Sequence, residues 1–158
     1  MSTKTGLVER LKTYTAENDV KSIIVASKGG KSAIKLAEEL KGVSIVAVSE
    51  FGYSDADKKT MKKQKITAIE NADLPIQDIR EMRETLLMFD SGIKAALEVV
   101  SIAASNGLVD GSCIAVASAG KGMDTALVVN TNHPDAESIS EPLKRLKVEK
   151  ILASPLIE

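Results

Sequence analysis

The stretch Ala26-Ser27-Lys28-Gly29-Gly30-Lys31-Ser32-Ala33 gathers the residue types that hold an anion. Lys28 and Lys31 supply charge, and Ser27 and Ser32 supply hydroxyls. The adjacent Gly29 and Gly30 let the backbone approach a ligand closely and take φ > 0 where a turn requires it. The chemistry that this set serves is phosphate binding. The apolar run Ile23-Ile24-Val25-Ala26 leads in, and the helix-forming segment Ser32 to Leu40 leads out. A strand that passes through a tight turn into a helix presents the helix's first orphan N–H groups and its positive dipole end to that turn. The plainer alternative is an ordinary strand-to-helix connection, with glycines for geometry and lysines for solubility.

Two sharper motifs are excluded. Gly30-Lys31-Ser32 matches the end of a P-loop, but the glycine that the motif needs earlier falls on Val25, inside the strand, so NTP hydrolysis is not expected. The dinucleotide fingerprint G-x-G-x-x-G is also missing from this loop.

A second small-residue turn, Ser118-Ala119-Gly120-Lys121-Gly122-Met123-Asp124-Thr125, follows another apolar run. Asp124 there can accept a sugar or ribityl hydroxyl, or satisfy the backbone of its own turn. Ser49 opens a third polar turn. Ser27, Ser49 and Ser118 each leave the carboxyl end of a predicted strand, where ligands of open α/β sheets bind. His133, the only histidine, has no cysteine or second histidine near it and so suggests no metal site. It reads as a solvated loop residue, with a general-base role as the alternative. Glu50 is a carboxylate without a placed partner. Cys113 lies in the run Ser112 to Ala117 and reads as a small buried hydrophobe rather than a reactive thiol. No Ser-His-Asp or Cys-His arrangement can be assembled.

The elements that position these residues alternate. The periodicity predicts a helix over Thr5 to Asn18, a strand over Lys21 to Ala26, a helix over Ser32 to Leu40 and a strand over Val43 to Val48. A basic helix over Asp55 to Gln64 and a weaker strand over Lys65 to Ile69 follow. Ile76 to Asn106 is a long helical pattern, either whole or broken near Asp90-Ser91-Gly92, with an apolar stripe that includes Leu87, Phe89, Ile93 and Val100. Strands over Cys113 to Ala117 and Ala126 to Asn130 leave no room for a helix between them and predict an antiparallel hairpin. A short helix over Ala136 to Leu146 and a strand over Lys150 to Ala153 close the chain. The expected fold is one α/β domain over 1–158, a three-layer α/β/α sandwich on a mostly parallel, mixed sheet.

Composition narrows the function. The net charge of −1 creates no field that would attract nucleic acid or an anionic membrane. Aromatic residues make up 3% of the chain, too few for a base-stacking platform. The polar segment Met1 to Gly6 does not read as a signal peptide, and no apolar run reaches the ~18 residues of a membrane span, so a cytoplasmic location is expected.

The loop Ala26 to Ala33 is similar to the small-residue phosphate loop of the pyruvate kinase C-terminal domain. A second stretch, Glu84 to Val109 and on through Ile114 to Ala126, resembles the small stand-alone proteins, mainly archaeal, that are built like that domain. Its Gly-x-Gly-x-Asp-Thr-Ala, here Gly120 to Ala126, is distinctive of them. The resemblance implies a pyruvate kinase C-terminal domain-like fold without pyruvate kinase activity, because the catalytic barrel has no counterpart here. It implies a bound flavin mononucleotide (FMN), as in some of those relatives, or a sugar phosphate, as at the allosteric site of pyruvate kinase. Ser27, Lys28, Gly29, Gly30, Lys31 and Ser32 would hold the phosphate. Gly120, Lys121, Gly122, Asp124 and Thr125 would line the other side, with Ser49 between. The segment Ser49 to Tyr53 lacks the histidine-bearing turn of the relatives, and Ile66 to Pro75 is shorter, so the phosphate end carries over more fully than the flavin end. The related domain also packs at oligomer interfaces, which implies a homo-oligomer. The expected function is binding of a phosphorylated small molecule at residues 27–32. The alternatives are a flavin-dependent oxidoreductase, a phosphotransferase accessory, and a regulatory or assembly subunit.

Overall fold

Ile23, Ile24 and Val25 are fully buried, so the strand that contains them must be covered on both faces. The computed structural model describes residues 3–118, 122–139 and 145–157, and it gives that strand, β1 (Ser22–Ala26), two parallel neighbours. On one side runs β2 (Ser44–Val48), and beyond it β3 (Thr67–Ile69), also parallel. On the other side runs β4 (Ser112–Ala117). β5 (Thr125–Asn130) pairs antiparallel with β4, and β6 (Lys147–Ala153) pairs antiparallel with β5. The resulting six-stranded mixed sheet has the order β3-β2-β1-β4-β5-β6.

The alternation of side chains along the strands builds two cores. Ile23 and Val25 join Ile45, Ala47, Ile114 and Val116 on one face. There they pack against Leu7 and Leu11 of α1 (Thr3–Glu17), Ala33 and Leu36 of α2 (Lys31–Glu39), and Met61 of α3 (Asp55–Lys63). Ile24 joins Val46, Cys113, Ala115 and Leu127 on the opposite face, against Ala96, Val99, Val100 and Ala103 of α5 (Ser91–Ser105). Helices on both faces make this an α/β/α sandwich. Among the described residues no helix is long and apolar enough to cross a membrane.

Of the two alternatives over 76–106 the broken one holds, while the apolar stripe, the third strand and the last helix need correction. The pattern over 76–106 divides into a turn, α4 (Arg80–Leu87) and α5. Asp90 makes the break: its backbone is extended, and its carboxylate accepts the Gly92 N–H at 3.0 Å, which caps α5. The apolar stripe divides with it, since Ile93 and Val100 enter the core while α4 buries no residue and Leu87 and Phe89 stay exposed. The third strand is shorter than expected because Lys65 takes φ 60° in leaving α3. Of the helix expected over Ala136 to Leu146, the described part is a 3₁₀ turn at Pro134–Ser138, and 140–144 lie outside the described residues.

Gly92 lets the start of α5 lie close against Thr125 of β5. A Cβ at that position would overlap Thr125 Oγ1 and stand 3.1 Å from Thr125 Cβ. Gly92→Ala is expected to lower stability by about 1–3 kcal/mol in urea unfolding. Gly29→Ala, with nothing within 4 Å, is expected to stay within about 0.5 kcal/mol of wild type. Equal midpoints for the two variants would contradict this packing.

Candidate functional site

From β1 the chain moves outward to β2 and β3, and then returns to place β4 on β1's other side. The connections of β1 and β4 therefore part company at their carboxyl ends, which is the switch point where open α/β sheets hold ligands. A crevice of about 560 Å³ lies there. The three serine turns meet at it: Ser27 follows β1, Ser49 follows β2, and Ser118 follows β4. Lys28, Gly29, Lys31 and Ser32 line it from the first turn, and Gly122 and Met123 line it from the hairpin.

The first turn has an unusual hydrogen-bond balance. α2 starts at Gly30, whose φ of 83° turns the chain into the helix, and no side chain caps that start. α3 and α5, by contrast, are capped by Ser54 and Asp90. The backbone N–H groups from Lys28 through Ala33 find no acceptor among the described residues. The first residue of α2 is a lysine and its first turn holds no acid, the reverse of what a helix dipole favours. Ser27 is only 5% exposed, lines the crevice, and has no side-chain partner for its hydroxyl among the described residues. These groups, with Lys28 and Lys31, form a concave wall rich in hydrogen-bond donors.

A brace holds the turn. Tyr53 donates its hydroxyl to the Ser27 carbonyl at 2.8 Å, and its ring lies under Gly30 beside Met61. A Cβ on Gly30 would crowd the end of Met61 at 3.2 Å, and the positive φ itself favours glycine. Tyr53 is itself fixed through its N–H, which donates to Glu70 Oε1 at 2.8 Å. Burial, with the Glu70 charge adding to it, pushes the Tyr53 hydroxyl pKa well up. The Tyr53 N–H, aided by Lys58, holds the Glu70 carboxyl below the usual range. Ser49 ties the second turn to the first, donating to the Lys28 carbonyl and accepting the Phe51 N–H at 2.9 Å. Lys28 Nζ rests 5.9 Å above the Phe51 ring.

Not every candidate faces the crevice. Gly30 is wedged behind it. Asp124 and Thr125 are buried beneath the start of α5, where Thr125 Oγ1 donates to Asp124 Oδ1 at 3.0 Å, and neither lines the crevice. Gly120 and Lys121 lie outside the described residues. Glu50 lines the rim. His133 follows β5, which runs antiparallel, so it sits at the opposite edge of the sheet, where its Nδ1 accepts the Asp135 N–H and caps the 3₁₀ turn. Cys113 is buried in β4, and burial pushes its thiol up to about 12. Among the described residues no cluster of His, Cys, Asp and Glu could hold a metal ion.

Sequence reasoning missed the far wall. Lys94 and Glu98 of α5 line the crevice as an ion pair at 3.2 Å, and Leu74 lies beside them. The signal was present as opposite charges one turn apart inside an apolar stripe.

Set against known protein families and curated proteins, the chain matches none.

Two outcomes test the brace. Tyr53→Phe orphans the Ser27 carbonyl and is expected to cost about 1–2 kcal/mol in chemical denaturation. Glu70 is a depressed carboxylate, so its contribution to stability is present above the ordinary value of 4.5 and is lost as pH falls through its folded value. Wild type is expected to exceed Glu70→Gln at neutral pH, with the gap closing in acid. A gap that does not change with pH would contradict the brace.

Proposed function

We propose that the chain binds a phosphorylated small molecule, with its phosphate on the turn 27–32 and FMN as the first candidate ligand, and that it has no pyruvate kinase activity. The observation behind this reading is the run of N–H groups from Lys28 through Ala33 that find no acceptor among the described residues, at a helix start without a side-chain cap. An anion there would answer those donors, the helix dipole, and the charges of Lys28 and Lys31 together. It would also engage the Ser27 hydroxyl, which lines the same crevice. The fold supports the same reading, because the turn opens onto the switch point between β1 and β4. The crevice offers space for an organic body beside the phosphate. Binding, rather than turnover, is the function proposed.

Calorimetric titration with FMN and with inorganic phosphate tests this. Wild type is expected to bind both saturably. Lys28→Ala/Lys31→Ala is expected to bind each at least about tenfold more weakly, equivalent to about 1.4 kcal/mol. Affinity for both probes unchanged in that variant would reject the site.

A further inference from the structure

The wall facing the turn comes from the other face of the sheet, and core packing does not explain its charge. Lys94 Nζ and Glu98 Oε1 lie 3.2 Å apart, with side chains only 13% and 3% exposed. The Lys12–Glu39 pair on the surface, at 40% and 41%, shows the usual condition. A buried pair pays in desolvation what it gains in attraction, so apolar residues of the same volume would serve stability as well or better. Glu98 is held at both oxygens, since its Oε2 accepts the Gln77 N–H at 2.8 Å. The carboxylate is therefore fixed, and it fixes Lys94. An ammonium has three donors, Glu98 engages one, and Lys94 lines the crevice.

Beside its polar lining, which includes Ser49, Glu50 and Ser118, the crevice has apolar walls from Ala26, Val48, Leu74, Ala95, Val99 and Ala117. A sugar, hydroxylated on every side, would leave these walls unmatched. A flat ring would cover them, and carbonyl oxygens on its edge would answer the lysine.

We infer that Lys94, positioned by Glu98 across the crevice from the phosphate turn, selects the ligand's organic half by donating to a carbonyl oxygen on an apolar ring, so that the site takes a ring-bearing phosphate monoester in preference to a sugar phosphate. This rests on the phosphate reading above and adds to it the chemistry of the other end.

The test uses the full chain and three probes: inorganic phosphate, glucose 6-phosphate and FMN. Lys94→Met alone would strand a buried carboxylate and risk the fold. Lys94→Met/Glu98→Gln removes both charges and keeps an acceptor for the Gln77 N–H. Wild type is expected to favour FMN over glucose 6-phosphate by at least about tenfold. The paired variant is expected to lose about tenfold in FMN affinity while its phosphate affinity stays within about twofold, and Lys94→Arg is expected to retain the FMN preference. A purely structural pair would move both affinities together. The inference is overturned if wild type binds phosphate but does not prefer FMN, or if the paired variant keeps full FMN affinity. It also falls if the variant loses phosphate in parallel. Absence of phosphate binding in wild type overturns the reading beneath it as well.

Discussion

β1 is enclosed by parallel neighbours on both sides, and much else follows from that constraint. Because β2 and β4 flank the same strand, the chain must depart in opposite directions from adjacent carboxyl ends. The helix after β1 covers one face, and the helix before β4 covers the other. Neither can close over the gap between them, so a crevice forms by topology before any side chain is chosen. The residues that fill β1 are those that tolerate burial on both faces, and the first polar residue after them, Ser27, falls at the mouth of the gap.

Around that gap the structure forgoes local stability. A side chain capping α2 would satisfy its first N–H groups, and an acid in its first turn would suit its dipole. Gly30 and Lys31 stand there instead. The turn is held from behind, by Tyr53 on the Ser27 carbonyl, by Met61 under Gly30, and by Glu70 on the Tyr53 backbone. None of these three residues lines the crevice, and none takes up a donor of the turn. Across the gap Glu98 does the same for Lys94, taking up one donor while anchoring itself to Gln77. Rigid support combined with unanswered donors is what a preorganised binding site requires.

Much of this was legible from residue order. Continuous apolar runs located β1, β2 and β4, and the lack of room for a helix between Ala117 and Ala126 identified the antiparallel hairpin. The turns at Ser27, Ser49 and Ser118 could be placed on one rim because strand direction follows from alternation with helices. What could not be read depended on tertiary contact. Gly30 and Gly29 are the same residue type, yet only Gly30 lies against Met61 and Tyr53. Asp124 and Thr125 belong to a turn that resembles a ligand loop, but the approach of Gly92 draws them under α5. Phe89 and Leu87 share a helical stripe with Val100, and the cap at Asp90 separates them from the core. The charges of Lys94 and Glu98 gave a local hint, but their position at the crevice depends on where α5 crosses the sheet.

The central claim is that an anion docks on the backbone of the first turn. Amide proton–nitrogen correlation spectra of the full chain, recorded during titration with inorganic phosphate, test it most directly. The account expects saturable shifts concentrated on the amides of Lys28, Gly29, Lys31, Ser32 and Ala33. Signals there that stay still, or changes spread evenly over exposed lysine segments such as 58–63, would contradict it.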